Sequence, residues 1–185
     1  MTLEILKTKE DLRNLIDDYA YLSDEWKISE VMDLFTPDVT YKVHMNGALV
    51  ADVSGRENME RDFNLHASQV KTYFTLNGQH TVKIENDTAT GISFAQIKMI
   101  REAEGKDILT DYSVKYDDHY VKQNEKWLIK DRVAHFLIIE SRSILDLHAH
   151  LKVKPCNNFC CKALRRYIII NVQELPIFQL ISYSI

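Results

Sequence analysis

The sequence predicts an α+β fold: a cone-shaped α+β barrel in which a curved antiparallel sheet packs against N-terminal helices and encloses a pocket. Three observations lead there. Residues 8–27 carry the apolar spacing of a helix. Residues 73–140 carry four long runs with the composition of strands. The two kinds of element are segregated along the chain rather than alternating as βαβ units. An apolar share of 45%, with 10% aromatic residues, is enough for a packed core.

Each element has its own signal. Leu12, Leu15, Ile16, Tyr19 and Leu22 follow the i, i+3, i+4, i+7 rule and form one stripe. Thr8, with Asp11 three residues on, resembles a capping box at the helix start. A second short helix is expected from Ser29 to Phe35, ended by the turn Thr36-Pro37-Asp38. Val39–Met45 alternates with period two, as a half-buried strand does, and Asn46-Gly47 is a hairpin signal leading to a return strand, Ala48–Val53. Ser54-Gly55-Arg56-Glu57 reads as a capping box opening a helix through about Gln69. Tyr73–Glu85 and Thr88–Arg101 follow as strands joined at Asn86-Asp87. Ile108–Lys122 and Lys126–Glu140 form a second hairpin, rich in Tyr, Val, Ile and Trp.

Residues 1–140 thus form one domain, and residues 141–185 an extension of different style. In the extension, Tyr167–Val172 and Phe178–Tyr183 are short apolar runs of β character. His148, His150, Cys156, Cys160 and Cys161 are zinc-ligand types, but their spacing fits no standard finger, and free thiols are expected. No metal ligand set is expected in the body. No cysteine occurs before Cys156, which suits a reducing cytoplasm. The start of the chain has no apolar signal-like core, and no apolar run reaches membrane-spanning length, so neither secretion nor a membrane is expected. A net charge of −4 gives no nucleic-acid footprint. No Gly-rich phosphate cradle is present, and no cofactor is expected.

An ordered set of residues resembles a known family. Tyr19, Asp24 and Trp26, followed by Val31-Met-Asp-Leu-Phe35-Thr-Pro-Asp38-Val, are similar to the first helices of SnoaL-like proteins. These belong to the cone-shaped superfamily that includes ketosteroid isomerase, scytalone dehydratase and bile-acid dehydratases. Gly55-Arg56 opening a helix, His80 in a strand-like run, the acidic turn Glu85-Asn-Asp87-Thr-Ala89, and Tyr116-Asp-Asp118 with Trp127, Ile129 and Arg132 complete the resemblance. It covers about residues 8–140. It implies the cone fold and, from the dehydratase-like branch, a catalytic core of Tyr19, Asp24 and His80.

Those three side chains suffice for proton transfer without a cofactor. His80 is the natural general base, with an unperturbed pKa of about 6.5. Asp24 would fix its tautomer, and Tyr19 would donate to a carbonyl oxygen as it becomes enolate-like. Spacing alone puts Tyr19 and Asp24 about 140° apart on an ideal helix, so they converge only if the helix ends or bends there. Asp111, Arg132, Tyr41 and Phe94 are the substrate-binding candidates, Arg132 as a clamp for a carboxylate or phosphate and the aromatics as pocket walls. Tyr73, Phe74, Met99 and Tyr116 are further wall candidates, while His44 and His66 are expected on exposed faces.

The expected activity is a cofactor-independent dehydration or isomerisation of a small hydrophobic carbonyl compound, by a homodimer. The alternative is a non-catalytic small-molecule-binding or assembly module of the same fold. A third reading is the small subunit of a ring-hydroxylating oxygenase, which shares the cone.

Overall fold

The structure, a computed structural model, describes residues 2–144. The elements are α1 (Leu3–Asp24), α2 (Ile28–Met32), β1 (Phe35–Met45), β2 (Ala48–Ser54), α3 (Arg56–Ala67), β3 (Thr72–Glu85), β4 (Thr88–Ala103), β5 (Lys106–Gln123) and β6 (Lys126–Ser143). The strands form one six-stranded sheet in the order β2-β1-β6-β5-β4-β3. The extension expected at 141–185, with its apolar runs and its histidine–cysteine cluster, lies outside the described residues from Leu145 onward.

The sheet departs from the expectation in two ways. It is mixed rather than antiparallel, because β1 runs parallel to β6. The intervening hairpin, helix and meander amount to a long crossover that returns the last strand beside β1 in the same direction. It is also open rather than closed: β2 and β3 are its edges. The strands of the meander fall within a few residues of their expected limits, and the three pairings of the meander and the β1–β2 hairpin are antiparallel.

α1 starts earlier than Thr8. Thr2 caps it, its hydroxyl accepting from the Ile5 N–H at 3.3 Å. Leu12, Leu15, Ile16 and Ala20 are buried on its inner stripe, with Tyr19 and Leu22 packed half-buried beside them. Trp26, at φ 54°, turns the chain into α2. The expected capping box at Ser54 does not form. Gly55 is the N-cap of α3, at φ 84°, and no side chain caps it. Pro37, expected in a turn, lies inside β1 at the register break between Phe35 and Thr40, where no ladder N–H is needed. At Asn46-Gly47 both φ values are positive, as the tightest hairpins require.

The helices pack on one face of the sheet. Leu12, Val31, Phe35, Val39, Tyr120 and Ile129 are fully buried there. The opposite face exposes Phe74, Leu76, Ile92 and Phe94 on the neighbouring strands β3 and β4. Among the described residues, no helix is long and apolar enough to cross a membrane.

Candidate functional site

Between α1, α3 and the inner face of the sheet lies a cavity of about 360 Å³. That is the size of a small-molecule site. Val43, Val53, Phe63, Ile97, Met99 and Phe136 supply much of its apolar wall. Its phenols come from Tyr19, Tyr41, Tyr73, Tyr112 and Tyr116, its other hydroxyls from Ser23 and Thr75, and its carboxylates from Asp24 and Asp62.

Asp24 is the last residue of α1, and β3 meets it there. Its Oδ2 accepts from the Thr75 N–H at 2.6 Å and its Oδ1 from the Thr75 hydroxyl at 2.7 Å. Two donors from one residue hold the carboxylate in a fixed plane, and hydrogen bonds to a charged acceptor are about twice as strong as neutral ones. Asn77, two residues on and on the same face, donates to the Ile16 carbonyl at 3.1 Å and to Asp17 at 2.8 Å, which ties β3 along α1. The Tyr19 hydroxyl lies 3.4 Å from that of Tyr41. Burial, then the neighbouring Tyr19 and Tyr116, push the Tyr41 pKa well above the ordinary phenol range, so this hydroxyl stays a donor.

Behind Tyr19 and Tyr116 lies a second layer. The Arg132 guanidinium stacks under both rings, 4.3 and 4.5 Å from their centroids. It donates to Asp118 through Nε at 2.7 Å and Nη2 at 2.8 Å, and both side chains are essentially inaccessible. Burial opposes the charge on Arg132, but Asp118 outweighs it and raises the pKa of Arg132 further above its ordinary value. Tyr120 donates to Asp118 Oδ2 at 2.8 Å, and the Tyr120 oxygen lies 3.3 Å from His80 Nε2. Gly91 makes room for this contact. A Cβ there would stand 2.7 Å from a Tyr120 ring carbon and 3.2 Å from His80 Nε2. Burial lowers the His80 pKa; Asp118 opposes the shift and Arg13 and Arg132 add to it.

The seven residues singled out from the sequence therefore separate. Tyr19, Asp24 and Tyr41 border the cavity. His80 does not. Both Asp24 oxygens are engaged by Thr75 instead, so Asp24 does not orient the His80 ring. A bulge in β3 carries the pairing from Asn77↔Ala95 directly to His80↔Ser93, which keeps His80 on the inner face at the level of Tyr116, where its ring meets Tyr120 rather than the cavity. Arg132 is likewise sealed behind Tyr19 and is not a clamp open to substrate. Phe94 and Asp111 belong to the opposite face, away from the cavity. Phe94 is 41% exposed, and Asp111 is bonded to Lys98 and, at 2.7 Å, to Arg142.

Sequence reading also missed residues that border the cavity: Thr75, Asp62 and His66. Asp62 and His66 are one helical turn apart on α3, and that spacing was the available signal. His66 is exposed, as expected, and its ring also borders the cavity, 6.0 Å from that of Tyr73; desolvation, then Arg101, lower its pKa. Among the described residues, no group of three or more His, Cys, Asp or Glu is arranged to hold a metal ion.

Helices on one face of an open, curved six-stranded sheet, with an apolar cavity between the layers, define the cone-shaped α+β class. Residues 4–133 match the SnoaL-like domain, and the chain belongs to that family. A solved structure of a candidate scytalone dehydratase from Novosphingobium aromaticivorans is similar, with a TM-score of 0.68, 18% identity, and coverage of 78% of this chain and 94% of that one. A candidate aromatic ring hydroxylase from the same organism gives 0.65 at 17% identity, covering 76% and 96%. A hexachlorocyclohexane dehydrochlorinase, LinA type 2, gives 0.63 at 12% identity, covering 78% and 94%. At these identities the likeness is one of fold. No curated protein matches the sequence.

Proposed function

We propose that the chain is a cofactor-independent dehydratase or isomerase that abstracts a proton α to the carbonyl of a small, largely apolar compound. One observation carries this reading: a carboxylate held by two hydrogen bonds borders an apolar cavity that also presents paired phenols. The base in this reading is Asp24, in place of His80. It takes the α-proton, and the electron pair moves onto the carbonyl oxygen. Tyr19 and Tyr41 donate to that oxygen as its charge develops. In an isomerisation Asp24 returns the proton to the γ-carbon. In a dehydration the enolate expels a β-hydroxyl group, which takes the proton from Asp24 and leaves as water.

The test uses two probes. Deuterium exchange at the α-carbons of 2-tetralone, followed by NMR, reports proton abstraction alone. Conversion of 4-hydroxy-4-phenylbutan-2-one to its conjugated enone reports elimination. Asp24→Asn is expected to lower either rate by about 10²–10⁴-fold, the usual cost of removing a positioned base. Exchange that is undiminished in Asp24→Asn would sink the assignment. A second reading, a binding module without chemistry, is favoured by the withdrawal of His80 from the cavity. It predicts saturable binding of 2-tetralone with no exchange above the buffer rate.

A further inference from the structure

The charge of the cavity wall narrows what can enter it. Among the described residues neither a lysine nor an arginine borders the cavity, whereas two carboxylates do: Asp24, and Asp62, which is half-exposed and has its Oδ1 3.4 Å from the Nε of Arg61 outside the wall. The histidine on the wall, His66, has its pKa lowered by burial and Arg101, which keeps it uncharged at neutral pH. The nearest buried cation, Arg132, is neutralised by its bidentate pair with Asp118 and screened from the cavity by Tyr19 and Tyr116. The remaining wall is dense in aromatic rings set edge to face. Tyr41 and Phe63 lie with centroids 5.4 Å apart, and Tyr112 and Phe136 with centroids 5.2 Å apart. Ring faces and carboxylates both attract a cation, and low-dielectric walls strengthen that attraction. The described wall offers hydroxyl donors but no formal cation to offset the full charge of an anion brought out of water.

We propose that the cavity selects a positively charged apolar molecule, an alkyl- or arylammonium, over a neutral or anionic molecule of the same shape. This rests on reading the cavity as the substrate site and adds the substrate class: the reacting ketone would carry a basic nitrogen. Asp62 and the aromatic rings receive the ammonium, which leaves Asp24, fixed by Thr75, to act on the carbon acid.

Three probes of near-equal shape test it by titration calorimetry on the full chain: (3-hydroxyphenyl)trimethylammonium, 3-tert-butylphenol and 3-hydroxybenzenesulfonate. The cation is expected to bind about tenfold more tightly than the neutral phenol, a size typical of partly desolvated cation–π and carboxylate recognition. The sulfonate is expected not to bind. Asp62→Asn should narrow the gap between cation and neutral phenol, and Asp24→Asn with Asp62→Asn should close it. Far-UV circular dichroism and urea melts matching those of the unaltered chain show that the variants are folded. The proposal is overturned if the neutral phenol binds as tightly as the cation, if the sulfonate binds, if no probe binds, or if the double variant keeps the preference. These outcomes are separate from 2-tetralone exchange. Exchange without cation preference removes this inference alone, and cation preference without exchange removes the catalytic reading alone.

Discussion

Two neighbouring layers of this domain use the same polar side chains to opposite ends. The cavity layer has Tyr19, Tyr41, Asp24 and His66; the layer behind it has Tyr120, Asp118 and His80. In the rear layer Asp118 accepts from Arg132 twice and from Tyr120, and Tyr120 meets His80, so the groups are spent on one another. In the cavity layer Asp24 is held from one side by a single residue, and the tyrosine hydroxyls meet only loosely, at 3.4 Å. Residue type does not separate a structural network from the polar lining of a cavity. The number of partners already satisfied, and the presence of adjoining empty space, do.

That contrast can be broken experimentally. Its largest expected consequence is at Asp118. Asp118→Asn leaves Arg132 charged, buried and short of its partner, a change that typically costs about 3–5 kcal/mol. Urea denaturation should register it, while Asp24→Asn, at the cavity edge, should cost far less. A rear-layer variant that loses under 1 kcal/mol would mean that Asp118 is not the support described here. Next is Gly91→Ala, whose added methyl meets the Tyr120 ring. Overpacking of that kind costs about 1–3 kcal/mol and should part Tyr120 from His80, shifting the His80 ring signals in an NMR spectrum.

The smallest effect is on pH dependence. His80 and His66 have pKa values lowered in the fold, mainly by burial. The unfolded chain therefore takes up protons first, and stability, complete above about pH 6.5, falls as pH drops from there through the lowered values. His80→Gln and His66→Gln should each flatten part of that fall in urea melts compared at about pH 7.5 and 5. An unchanged slope in both variants would contradict the lowered pKa values of these histidines.

Much of the fold was legible because its signals are local and repetitive. The α1 stripe, the Asn46-Gly47 hairpin and the four long meander strands depend only on period and turn chemistry. The parallel pairing of β1 with β6 was not legible, since it joins residues far apart in sequence with no composition mark. Of the candidate residues, Tyr19 and Asp24 border the cavity because α1 ends at Asp24, an end that their spacing required but did not itself reveal. His80 was misplaced because its position turns on the bulge after Asn77. Gly78 was the one hint of that bulge. Phe94 was misassigned by a parity that only the pairing of β4 reveals; its neighbours Ser93 and Ala95 are the buried ones.

Arg132 also sets a length. Its guanidinium is pinned by Asp118 and capped by the rings of Tyr19 and Tyr116, so the inner end of the cavity rests on a charge that has nowhere to retreat. On the proposed reading, a longer guest would extend past Asp62 and His66 on α3 rather than deepen the chamber. Relatives that accept different guests on this scaffold would then differ at the α3 rim more readily than at the base, and the base would act as a fixed stop against which every guest is measured.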